Sequence, residues 1–201
     1  MRALAIGGLA LLAACGGTGN DMTARVSRTN GGPPPGQHLG IGRVATKAEV
    51  AAINLDVSPD GAGLPPGRGS VAQGAVLYAK QCASCHGPAG EGIPPLYPQL
   101  IGRPPGGETF DFARDPKIAR TIGNYWPYAT TVFDYVRRAM PMTAPGTLSN
   151  DELYGITAYL LARNQVIAAD ASLDSASLVA VRMPARDRFV KDDRRGGREV
   201  R

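Results

Sequence analysis

Five consecutive residues carry most of the chemistry open to this sequence: Cys82-Ala83-Ser84-Cys85-His86, a Cys-x-x-Cys-His run. Two thiols three positions apart fit one helical turn, where they can add to the two vinyl groups of a haem. The next residue then sets an imidazole beneath the iron. The spacing reads as an attachment site for one haem c, with Cys82 and Cys85 as covalent anchors and His86 as an axial ligand. Rival readings make demands of their own. A thioredoxin-like pair needs no histidine and opens a helix after a strand, whereas this motif follows an apolar-periodic segment. A zinc site needs two more ligands, and with three Cys and two His in the chain only Cys15 and His38 remain. A structural disulfide stays open to any exported cysteine pair.

A haem iron held by one histidine has a sixth position, and its occupant separates an electron carrier from a catalyst. The downstream sulfur candidates are Met140, Met142 and Met183. A helix over about 131–139, with Val132, Phe133, Val136 and Ala139 inward, delivers Met140-Pro141-Met142-Thr143-Ala144-Pro145 as a Pro-rich loop. Such a loop holds a thioether against iron at low entropy cost. Met140 is the choice because Pro141 fixes the chain beside it. Met142 is the runner-up, and core packing is the ordinary use of methionine. His/Met ligation favours the ferrous state and leaves no site for substrate. The chain is therefore expected to be an electron-transfer protein and not an enzyme.

The elements that must position these groups are helical. Residues 70–81 carry Val71, Ala75, Val76, Leu77, Tyr78 and Ala79, with Gly74 in the middle. Glycine there costs up to about 1 kcal/mol, which suggests that another element approaches closely, although an ordinary cost in an ordinary helix is the bland alternative. Ser149-Asn150-Asp151-Glu152 is a capping box, after which Leu153, Ile156, Thr157 and Leu160 keep helical spacing. Helices at about 70–82 and 150–164 are expected to cross at Gly74, near Tyr154 or Tyr159. The fold class is all-α.

The whole chain has 201 residues, enough for one ordinary domain with tails. Gly (26) and Pro (17) imply long irregular segments around it. The net charge of +5 resides mostly in the tail: residues 182–201 hold eight Lys/Arg against four acids, and residues 1–181 fourteen against thirteen. The central region has no basic stripe, so no nucleic-acid partner is expected.

Met1-Arg2 and the short apolar run to Ala14 read as a signal peptide, too short to span a bilayer. Leu12-Ala13-Ala14-Cys15 looks like a bacterial lipobox, which makes Cys15 a lipidation site and the chain a lipoprotein anchored on the periplasmic side of a membrane. A plain signal peptide cut near the same alanines is the alternative. Two acyl chains give a stable anchor. The domain reading is a signal peptide 1–14, a Gly/Pro-rich tether 15–37, an irregular N-terminal extension 38–69, a cytochrome domain 70–165, and an irregular basic C-terminal tail 166–201.

Gly74-x-x-x-Tyr78, the Cys82–His86 motif, Met140-Pro141 and the capped C-terminal helix together resemble class I cytochromes c over about 70–165. A narrower resemblance extends into the flanks. Gly40-Ile41-Gly42-Arg43, Pro59-Asp60-Gly61-Ala62-Gly63-Leu64-Pro65-Pro66-Gly67, Tyr125-Trp126-Pro127-Tyr128, Asp134-Tyr135-Val136-Arg137-Arg138-Ala139-Met140-Pro141 and Met183-Pro184 with Phe189 look like the cytochrome subunit of the Sox-pathway sulfane dehydrogenase, similar also to sulfite dehydrogenase cytochromes. The resemblance implies a class I cytochrome c fold with long irregular extensions, Met140 at the ligand position, and a partner: a molybdopterin-containing subunit that oxidises a sulfur compound. A downstream cytochrome or oxidase would take the electrons on. Tyr125, Trp126 and Tyr128 fall in a shared segment that could line the haem pocket, though aromatic core is its plainer use. Some members carry a second haem domain, whereas this chain has one motif. A general respiratory carrier is the alternative function, and a haem peroxidase with an open sixth position is a third.

Overall fold

The computed structural model describes residues 42–103 and 115–190. The signal peptide, Cys15, the tether, His38 and the basic stretch after residue 190 lie outside the described residues. The chain divides into two compact units, Met1–Thr46 and Lys47–Arg201. Only residues 42–46 of the first are described, and all the helices and strands among the described residues belong to the second.

Its elements in chain order are α1 (Lys47–Ile53), β1 (Arg68–Ser70), α2 (Val71–Gln81), the short α3 (Ala83–His86), α4 (Ala129–Ala139), α5 (Asn150–Arg163), β2 (Ser172–Asp174), α6 (Ser175–Ala180) and a 3-10 turn at Arg186–Arg188. Two of the three long helices described, α2 and α5, start where their caps dictate. Ser70 and Gln73 form a capping box on α2, and Ser149 and Glu152 form the expected one on α5.

The expected crossing at Gly74 is present. A Cβ placed on Gly74 would run into the Gly155 carbonyl of α5 and come within 2.8 Å of Tyr159 Cβ. The two helices thus touch backbone to backbone at a point where only glycine fits. Tyr78 then packs on Tyr159 with ring centroids 5.0 Å apart. Phe133 of α4 meets Tyr154 of α5 at 4.7 Å, closing the third side of the core. Helix α4 begins at Ala129, two residues earlier than the periodicity indicates, and of the four residues expected inward Val132, Phe133 and Val136 are buried while Ala139 is half-exposed.

The flanks are less irregular than the sequence suggests, and here the structure corrects the reading. Residues 38–69 include α1, none of whose residues is buried, and β1. The segment 166–201 is not simply a tail: β2 pairs antiparallel with β1, Gly69 opposite Leu173, and Leu173, Leu178, Met183 and Ala185 are buried. Three-residue strands show no usable alternation, and four apolar residues spread over thirteen positions give no helical stripe. The N-terminal extension is tied to α4 by side chains: Asp134, itself buried, accepts from Val57 N–H at 3.0 Å, and Arg137 donates to Leu55 O at 3.2 Å. Among the described residues no helix is long and apolar enough to cross a membrane.

Candidate haem site

Helix α2 ends and α3 begins at Cys82. The Cys82 carbonyl accepts from Cys85 N–H at 3.2 Å and from His86 N–H at 2.9 Å, so both cysteines and the histidine share one turn. The two thiols are free and half-buried. Burial, with Cys85 adding to it, pushes the Cys82 thiol up to about 11. Among the described residues no group of three His, Cys, Asp or Glu could hold a metal ion.

His86 is buried, and its Nδ1 lies 3.0 Å from Pro98 O. A carbonyl oxygen can only accept, so Nδ1 carries the proton and Nε2 keeps its lone pair for a metal. The loop that brings Pro98 round turns at Gly87, Gly90 and Gly92, all at positive φ between 74 and 79°. Its backbone is pinned by Gly92 N–H on His86 O at 2.7 Å and by Leu100 and Ile101 N–H on Gly90 O at 2.9 and 3.1 Å. Tyr78, its hydroxyl pushed up by burial, donates to Gly87 O at 2.9 Å. Asn164, fully buried at the end of α5, receives Gly102 N–H at 3.2 Å and donates to Leu100 O and Leu160 O at 3.2 and 2.8 Å. Sequence reasoning missed Tyr97, Pro98 and Asn164. A main-chain carbonyl has no side-chain signature, and a lone Asn after a helix reads as a cap and nothing more.

The three methionines occupy different surroundings. Met183 is 2% exposed, a core residue. Met142 is 60% exposed. Met140, the C-cap of α4, is half-buried against the hydrophobic core, its N–H on Val136 O at 3.1 Å. The aromatic segment is divided. Tyr128 lies under Arg186 at 3.9 Å and lines a cleft of about 450 Å³ with Leu178 and Met183, remote in sequence from the haem motif. Tyr125 meets Phe189 at 5.8 Å, and Trp126 meets Tyr135 at 5.8 Å. These three residues do not act as one wall.

The residues present fit a haem c. Two thiols and an imidazole with a free Nε2 share one turn. Among the described residues two buried side-chain atoms have no hydrogen-bond partner, Arg103 Nε and Thr121 Oγ1. They belong to neighbouring segments, joined where Ile122 N–H bonds Leu100 O at 3.2 Å. A haem brings two carboxylates, and both orphaned atoms can donate to such acceptors.

Comparison with known proteins agrees. Residues 69–160 match the family model described as cytochrome c oxidase, cbb3-type, subunit III. Among solved structures, the sulfane dehydrogenase SoxCD from Paracoccus pantotrophus is similar at 44% identity and a TM-score of 0.66, covering 78% of this chain and 73% of that one. Thiosulfate dehydrogenase TsdBA from Marichromatium purpuratum is similar at 26% identity and a TM-score of 0.33, over 46% of this chain and 17% of that one, an overlap too partial to carry an argument. No curated protein matches.

Proposed function

Because the chain belongs to the class I c-type cytochromes, with a relative in the sulfane dehydrogenase SoxCD, we propose that it is the electron-accepting subunit of a molybdopterin-dependent sulfane or sulfite dehydrogenase. The observation that carries this reading is the 44% identity over 78% of the chain, which extends well beyond the haem motif. Bond-breaking chemistry belongs to the partner subunit, and a downstream cytochrome or oxidase receives the electrons. Localisation follows from the sequence: a lipid on Cys15 holds the protein on the periplasmic side of a bacterial membrane.

Haem c, when bound, supplies a one-electron iron couple. This chain's residues hold and tune a single such group. Cys82 and Cys85 tether it through thioether bonds. His86 presents Nε2, and its Nδ1–H bond to Pro98 O both orients the ring and raises its basicity. Met140 would supply the second iron ligand, with Met142 the second choice, and its soft sulfur would favour the ferrous state. Arg103 and Thr121 lend their unpartnered atoms to carboxylates. Held by two side-chain ligands, the group would exchange electrons and leave substrate chemistry to the partner subunit.

The test is reconstitution. The mature holoprotein should co-elute with a molybdopterin sulfur dehydrogenase and become reduced when a sulfur substrate is added to that pair. Absence of co-elution and of substrate-dependent reduction, together with ready reduction by quinol-side donors, would instead establish the general respiratory carrier.

A further inference from the structure

Tyr97 and Pro98 are consecutive, and both bear on the His86 ring. Pro98 holds Nδ1 through its carbonyl at 3.0 Å. Tyr97 meets the imidazole edge-on, with centroids 6.3 Å apart and planes at 64°. Two neighbouring residues of one loop therefore address the same imidazole.

Its place is not owed to the core. Tyr97 is half-exposed, and its neighbours Ile93 and Leu96 are 44% and 74% exposed. Backbone bonds fix it: Tyr97 N–H bonds Ile93 O at 2.9 Å and Ile93 N–H bonds Tyr97 O at 3.0 Å, a small antiparallel bridge. The adjoining Gly92 is anchored to His86 O at 2.7 Å. The ring is thus held by a rigid loop that starts from the residue it contacts.

We propose that Tyr97 is a positioning residue of the haem site, whose ring sets the rotation of the His86 imidazole about the iron–nitrogen axis. The inference rests on the haem-holding role of His86. An aromatic neighbour set edge-on restricts the turning of the imidazole by contact and by the attraction between ring edge and ring face. A fixed imidazole plane fixes how the ligand field splits the iron orbitals, which the ferric g values report.

The experiment uses holoprotein carrying Tyr97→Phe or Tyr97→Leu, with ferric g values read by electron paramagnetic resonance. Tyr97→Phe keeps the ring, and wild-type g values are expected. Tyr97→Leu loses the ring, and a changed g spread is expected. Unchanged g values in Tyr97→Leu, or changed ones in Tyr97→Phe, overturn the proposal; if Tyr97→Leu does not mature, Tyr97→Met, which also lacks the ring, decides in its place. A wild type lacking a low-spin His/Met signature would overturn the ligand assignment and this proposal with it, whereas either of those outcomes in a His/Met wild type overturns this proposal only.

Discussion

The His86 imidazole gives its Nδ1 proton to the carbonyl oxygen of Pro98, 3.0 Å away. That bond sets the tautomer, and the tautomer decides which nitrogen can meet iron. Pro98 therefore must not drift, and the residues that hold its loop matter to the site.

Asn164 is the furthest of these. It bonds Gly102 N–H and Leu100 O on the loop and Leu160 O on α5. Asn164→Ala leaves those buried groups unpaired and should cost about 1–3 kcal/mol. Urea unfolding of the holoprotein should show this as a lower midpoint with an unchanged slope.

The helix crossing makes an asymmetric prediction. At Gly74 a Cβ meets the Gly155 carbonyl and Tyr159 Cβ at 2.8 Å, whereas at Gly155 the nearest atom is Gly74 N at 3.3 Å. Overpacking costs about 1–3 kcal/mol, occasionally more. Gly74→Ala should lose that much in thermal or chemical unfolding, and Gly155→Ala clearly less. Equal losses would mean that the helices do not meet as described.

Asp174 gives a pH dependence. Its carboxylate caps α6, accepting from Ser177 N–H at 2.9 Å and Ser177 Oγ at 2.7 Å, with Arg68 3.9 Å away. The Ser177 backbone bond first, then its hydroxyl and Arg68, hold the carboxyl below the usual carboxylate range. A lowered folded value means stabilisation that is present above the unfolded value of about 3.9 and is lost as pH falls through the folded one. The gap in unfolding midpoint between wild type and Asp174→Asn should be constant near neutral pH and close only under acid conditions.

How much of this architecture is legible in the sequence depends on where each signal is stored. The Cys82–His86 motif, the Ser149–Glu152 cap and the Gly74 crossing are legible because each rests on a residue type whose spacing has one physical use. Pro98 acts through a backbone atom, and Tyr97 through a loop whose shape depends on three glycines at positive φ. The pairing of Arg68–Ser70 with Ser172–Asp174 joins three-residue strands far apart in the chain, too short for any period to show. Tyr125, Trp126 and Tyr128, close in sequence, take separate neighbours because an irregular segment turns each a different way.

The central claim is a single covalent haem closed by His86 on one side and Met140 on the other. Its most direct test is the far-red sulfur-to-iron charge-transfer band of the ferric holoprotein. The half-buried position of Met140, against 60% exposure for Met142, predicts that Met140→Ala abolishes the band and Met142→Ala retains it. A band that survives Met140→Ala and vanishes in Met142→Ala would contradict the ligand assignment, and a wild type with no such band would contradict thioether ligation altogether.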